Sequence, residues 1–118
     1  MSLKASKGWK RKADLLFSEI IRSKGYCENC GRSDGVQLQT AHIISRRYAA
    51  VRTDTDNAFC LCAKCHRRFT DFPREFSHFI TDKLGSEKYD QLSAKALPLT
   101  KVNWEAEYIR LKKLKERV

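Results

Sequence analysis

Apolar residues recur along this chain at two different spacings, and the switches between them mark out its elements. Over residues 7–24, Trp9, Ala13, Leu16 and Ile20 fall on one helical face, with Phe17 and Ile21 beside them. Gly25 follows where a helix ends, because glycine takes the left-handed conformation cheaply. Residues 36–44 alternate instead, with Val36, Leu38 and Thr40 set against Gln37, Gln39 and Ala41, which predicts a strand. Residues 46–55 form a polar, positively charged loop, and residues 57–61 are apolar and short enough for a second strand. Residues 63–70 suit a helix with His66 near its start.

The run Asp71-Phe72-Pro73 breaks that helix and begins another, with Pro73 in the first turn. Phe76, Phe79, Ile80 and Leu84 give the new helix an apolar face, which Gly85 ends. A further helix is expected over residues 86–96, with Ser86 as N-cap and Tyr89 and Leu92 turned inward. After Leu97-Pro98-Leu99, residues 101–117 form a last amphipathic helix through Trp104, Tyr108, Leu111 and Leu114. Its other face carries Arg110, Lys112, Lys113, Lys115 and Arg117. The expected class is α+β: an N-terminal helix, a knuckle, a hairpin and a helix, then two or three more helices. No internal repeat interrupts this order, and 118 residues make a single domain over 1–118.

Composition adds a partner class. The formal charge is +10, from 24 Lys and Arg against 14 Asp and Glu. A surplus of that size on a small domain points to a polyanion, most often nucleic acid. No stretch approaches the roughly 18 apolar residues of a membrane span, and the basic start has no signal-peptide core. No membrane partner is expected, and a reducing, cytoplasmic setting is.

The five cysteines fit that setting, since an odd number suits a closed disulfide framework poorly. Cys27-Glu28-Asn29-Cys30 and Cys62-Ala63-Lys64-Cys65 are two pairs at metal-ligand spacing. Each pair brings two sulfurs from one local turn to an ion, and together they complete a tetrahedral zinc site. Four thiolates leave no open position, so this zinc is read as structural, tying the loop between residues 30 and 62. With the metal and four thiolates counted, the net charge is about +8. Four ordinary buried cysteines are the alternative. Cys60, two before Cys62, should point to the same face as Cys62 and reads as a small buried hydrophobe.

His42, Asn57 and His66 exceed what a zinc knuckle needs. Taken together, Cys27-x-x-Cys30, Ala41-His42-Ile43, Asn57 and Leu61-Cys62-x-x-Cys65-His66 resemble the signature of the HNH endonucleases in their zinc-stabilised form. The likeness spans about 45 of the 118 residues, with 15 positions from His42 to Asn57 and nine from Asn57 to His66. It implies a ββα-metal core over residues 26–71, flanked by the helix at 7–24 and a helical extension at 73–118.

The resemblance further implies a metal-dependent endonuclease that hydrolyses phosphodiester bonds in DNA, of prokaryotic or phage type. His42 would activate water, His66 would ligate a divalent ion, and Asn57 would brace the loop that aims His42. A neutral imidazole suits the first task near pH 7–8. The sequence departs from the family at Ala41, where many members carry a metal ligand, and at Thr70, a weak ligand one turn after His66. Magnesium or manganese suits so sparse a site, with Asp71 as a further carboxylate, and the ion should bind weakly without DNA.

Arg46, Arg47 and Arg52 after His42, and Arg67 and Arg68 after His66, are candidate phosphate contacts. Lys4, Lys7, Lys10, Arg11, Lys12 and the basic C-terminal helix would extend backbone contact, with weak sequence preference and a monomer or homodimer as the working form. Residue by residue, plainer readings stay open: His42 as a satisfied strand histidine, Asn57 as a turn residue, His66 as an alternative zinc ligand or a surface group. His78 reads as an ordinary helix residue. The competing whole-chain readings are a non-catalytic zinc module that binds nucleic acid and a zinc-stapled protein-interaction domain.

Overall fold

The computed structural model describes residues 2–99 and 101–117, with side chains from Gly8 onward. Helix α1 (Ser2–Arg22) leads through the cysteine knuckle to strands β1 (Leu38–His42) and β2 (Ala58–Cys62). Helices α2 (Ala63–Asp71), α3 (Pro73–Leu84), α4 (Ser86–Ala96) and α5 (Trp104–Glu116) follow. The class is α+β, with a two-stranded antiparallel sheet at its centre.

The hairpin pairs Leu38 with Cys62, Thr40 with Cys60 and His42 with Ala58. Every residue of β2 is buried, because helices cover both faces of it. On one face, Ala58 and Cys60 pack against Ala13, Leu16, Phe17, Ile20 and Ile21 of α1, with Leu111 of α5 completing the cluster. Those α1 residues share the helical stripe of the apolar pattern, which is why a short hairpin can be buried so fully. On the other face, Phe59 and Leu61 meet Phe69 of α2 and Phe79 of α3. Phe59 and Phe79 lie edge to face at 4.8 Å, a favoured aromatic geometry. α4 adds a smaller cluster, with Leu92 and Ala96 closing over Val51.

Gly25 and Gly31 take positive φ, +80° and +78°, and turn the chain out of α1 and around the knuckle. The knuckle then docks on the free edge of β2. The Glu28 amide donates to the Cys60 carbonyl at 2.8 Å, and the Cys60 amide donates to Glu28 Oε2 at 2.7 Å. The edge that a two-stranded sheet would leave open is partly capped by a single residue.

Several expectations shift. Residues 36, 37, 43 and 44 fall outside β1, and Asn57 belongs to a 3-10 turn (Thr55–Asn57). Another 3-10 turn, Ala49–Val51, interrupts the expected loop. Gly85, not Ser86, occupies the N-cap of α4 and makes no side-chain cap. Tyr89 is 40% exposed, not turned inward. Helix α5 begins at Trp104, where Asn103 Oδ1 accepts from the Ala106 amide at 3.0 Å. No described helix is long and apolar enough to cross a membrane.

Leu61 is fully buried and Leu99 is 95% exposed. Leu61→Ala should therefore cost about 2–5 kcal/mol of stability and Leu99→Ala almost nothing. Urea unfolding of the zinc-loaded protein measures both.

Candidate active site and metal centre

Two local turns bring the four cysteines together. Cys27 and Cys30 flank the knuckle, while Cys62 is the N-cap of α2 and Cys65 lies in its first turn. The four Sγ atoms all lie within 4.8 Å of one another. Zn–S bonds of about 2.3 Å give a tetrahedron with edges of about 3.8 Å, and the Cys30–Cys62 sulfurs stand 3.9 Å apart. The set fits a structural metal such as zinc.

Amides from the same turns face the sulfurs. The Cys65 amide points to Cys62 Sγ at 3.4 Å, and Asn29 Nδ2 donates to Cys65 Sγ at 3.3 Å. Donors of this kind orient thiolates from outside the ligand shell. Burial works against ionisation of Cys27, yet amide hydrogen bonds from the turns bring its thiol down to about 7. Burial pushes the Cys65 thiol up to about 12. Four such sulfurs become thiolates together only beside a cation, which the metal supplies.

Cys60 stands apart from this cluster, fully buried in the α1 core. It does not share a destination with Cys62, the last residue of β2, whose sulfur stands 3.9 Å from that of Cys30 and which packs with Cys27 and Cys65.

His42 ends β1 on the face covered by α1. Its ring lies 5.4 Å from that of Phe17, and Nε2 is 2.9 Å from the Arg52 carbonyl oxygen. A carbonyl only accepts, so Nε2 carries the proton and Nδ1 keeps its lone pair. Burial lowers the pKa of His42 below the ordinary histidine value, opposed by the Arg52 carbonyl and reinforced by the charges of Arg46 and Arg52. The ring is thus neutral at pH 7.

Asn57 is completely buried and uses its whole amide. Its Oδ1 accepts from the Ile44 amide at 2.7 Å, and Nδ2 donates to the Ile44 and Val51 carbonyls, each at 3.0 Å. Those three bonds close the loop between the strands on itself.

His66 lies against the opposite face. Its Nδ1 is 2.8 Å from Gln39 Oε1. Gln39 and His42 are three positions apart on one strand, so their side chains leave opposite faces of the hairpin. The two histidines therefore flank the hairpin, and no hydrogen bond joins them among the described residues. Gln39 is a partner that strand patterning alone did not single out; its signal was only a polar residue on the face where α2 packs. With Nδ1–H donated to Gln39, His66 Nε2 keeps its lone pair. Ala41 shares this face but is buried beside Phe59 and offers no donor. Thr70 Oγ1 donates back to the His66 carbonyl, and Asp71 lies 3.8 Å from Arg67.

The arginines divide by partner. Arg52 makes a bidentate pair with Asp14 of α1, at 2.8 and 2.7 Å. Arg68 pairs with Glu75 at 2.9 and 2.8 Å and covers Phe72. Arg46 and Arg47 are exposed, with no acidic partner among the described residues, and Arg67 is 85% exposed. Lys10, Arg11 and Lys12 are exposed on α1, with Lys10 over Trp104 and Lys12 over Trp9. The side chains of Lys4 and Lys7 lie outside the described residues.

Substitution separates the sulfurs. Cys62→Ser should lose bound zinc and cooperative folding together, because a serine can still cap α2 but no longer supplies a thiolate to the metal. Cys60→Ala should keep one zinc per chain. Metal content of the purified protein and its circular dichroism give both results.

The family model described as HNH endonuclease matches residues 27–72, while no curated protein and no solved structure gives a significant match. The matched segment runs from the first zinc-type cysteine to the end of α2, and includes His42, Asn57, His66 and all four clustered cysteines. α1, α3, α4 and α5 lie outside it. Residues 27–72 of this chain thus match the HNH endonuclease family over the segment that carries the four clustered cysteines.

Proposed function

We propose that this chain is a metal-dependent endonuclease that hydrolyses phosphodiester bonds in DNA. The observation that carries the reading is the state of His42: Nε2 is tied to the Arg52 carbonyl, so a neutral ring presents Nδ1 as a base. In this reading Nδ1 accepts a proton from the water that attacks phosphorus, and Asn57 keeps the surrounding loop closed so that the ring stays aimed. A divalent ion such as magnesium or manganese, held through His66 Nε2, would stabilise charge on the phosphate and the leaving oxygen. Gln39 holds the His66 ring in the tautomer this needs. Because the histidines flank the hairpin, a phosphate that meets both lies across its edge. Arg46, Arg47 and Arg67 are the side chains best available to contact flanking phosphates, with Lys10, Arg11 and Lys12 extending the basic surface. Arg52 and Arg68 serve first as ion-pair partners within the fold.

A second reading, a nucleic-acid-binding zinc module without catalysis, draws support from Ala41. That buried methyl supplies no ligand from the position before His42. Supercoiled plasmid separates the two. With magnesium or manganese the native protein should relax or linearise it, and His42→Ala should slow cleavage by about 10²–10⁴-fold while keeping its zinc. Equal cleavage by the variant would remove His42 as the base, and an intact plasmid in every metal would favour the binding module.

The pH profile adds an independent check. Protonation disables the base, so the rate should fall on the acid side. Because burial lowers the pKa of His42, that fall should centre below the ordinary histidine value of about 6.5.

A further inference from the structure

The carbonyl that holds His42 belongs to a segment gripped from three directions. Three successive backbone oxygens each accept from a different side chain: Val51 from Asn57 Nδ2 at 3.0 Å, Arg52 from His42 Nε2 at 2.9 Å, and Thr53 from Arg110 Nη2 at 2.8 Å. The side chains of the segment are gripped as well. Thr53, only 2% exposed, donates from Oγ1 to Glu107 Oε1 at 2.7 Å. Glu107 in turn accepts from Arg110 Nε at 3.1 Å, so the two α5 residues act as a unit. On the other side, the Arg52 guanidinium makes its bidentate pair with Asp14 of α1. Of these groups, Asp14, Glu107 and Arg110 lie outside residues 27–72.

We infer that Asp14, Glu107 and Arg110 are positioning residues for His42, acting through the Arg52 carbonyl. Within residues 27–72, Asn57 closes the loop, but of these three oxygens its side chain reaches that of Val51, one residue short of the one that holds His42. Arg52 and Thr53 are each anchored through their side chains to a helix of the flanking regions. The cost of desolvating Thr53 and the Arg52–Asp14 pair is offset by hydrogen bonds made on both sides of that single oxygen. A ring held by a mobile carbonyl would sample several orientations, and a small displacement of a catalytic group is expensive in rate. The two flanking helices thus complete a site whose chemistry lies in the HNH-matched segment. This inference rests on the reading of His42 as the base for its effect on rate, but its structural content can be measured without cleavage.

The experiment uses the full zinc-loaded chain with ¹⁵N-labelled histidine. In the native protein, the His42 Nε2 proton should appear as a slowly exchanging, hydrogen-bonded signal. Asp14→Asn with Glu107→Gln removes two charges at nearly constant volume. That double variant should keep its zinc and its circular dichroism, lose the slow Nε2 signal, and show a kcat lower by about 10–100-fold with KM within about twofold. Asp14→Glu, which keeps the carboxylate, should recover most of both readouts. The two single variants give the same comparison should the double variant fail to fold. A folded variant whose Nε2 proton stays protected and whose kcat is unchanged would overturn the inference, as would a native protein with no protected Nε2 proton. A protected proton that depends on these residues, in a chain that cleaves nothing, would uphold the clamp and overturn the nuclease reading.

Discussion

Four sulfurs within 4.8 Å of one another tie the knuckle to the corner where β2 becomes α2, and the rest of the site is placed by that tie. Cys30 and Cys62 are 32 residues apart in sequence, and the intervening chain contains β1 and the whole interstrand loop. Closing so long a loop with a metal removes a large part of the conformational freedom of the unfolded chain. The same clamp sets where α2 begins, since Cys62 caps it, and so fixes His66 one residue beyond the last sulfur. It also presses Glu28 onto the free edge of β2. A core of this size would struggle to order such a loop through apolar burial alone.

From that frame the hairpin divides the work between its faces. One face carries His42, in contact with Phe17 and held by the Arg52 carbonyl. The other carries Gln39, hydrogen-bonded to His66 of α2. Antiparallel alternation makes this division unavoidable, because neighbouring positions on a strand cannot share a face. Ala41 shows the consequence: it stands on the His66 side, where a ligand would be useful, and is used for packing. The catalytic ion in the proposed reading is therefore lightly held by protein. Substrate oxygens and water must supply most of its shell, which suits ions that part reluctantly with water.

Much of this was legible in the sequence where the signal is local. The stripe on α1, the two cysteine pairs and the order of elements follow from spacings of two to four residues. The Asn57 side chain bonds only within its own loop, which is the range over which motif spacing carries information. Arg52 shows the limit: its neighbours in sequence make it look like a phosphate contact, yet its partner, Asp14, lies 38 residues away on another element. Gln39, Glu107 and Arg110 were silent for the same reason, since a polar residue on a strand or helix face does not announce which distant group it meets. Ser86 and Tyr89 depart from the local pattern at close range. Gly85 takes the positive φ that ends one helix and caps the next, and the apolar demand of α4 is met by Leu92 and Ala96.

Four cysteines hold the frame, and the proposed reading keeps the histidines for chemistry. X-ray absorption at the zinc edge of the purified protein tests this division directly. Four sulfurs at about 2.3 Å, no nitrogen, and an unchanged spectrum in His66→Ala are expected. Three sulfurs with one imidazole nitrogen, the nitrogen lost in His66→Ala, would put His66 in the frame and break that division.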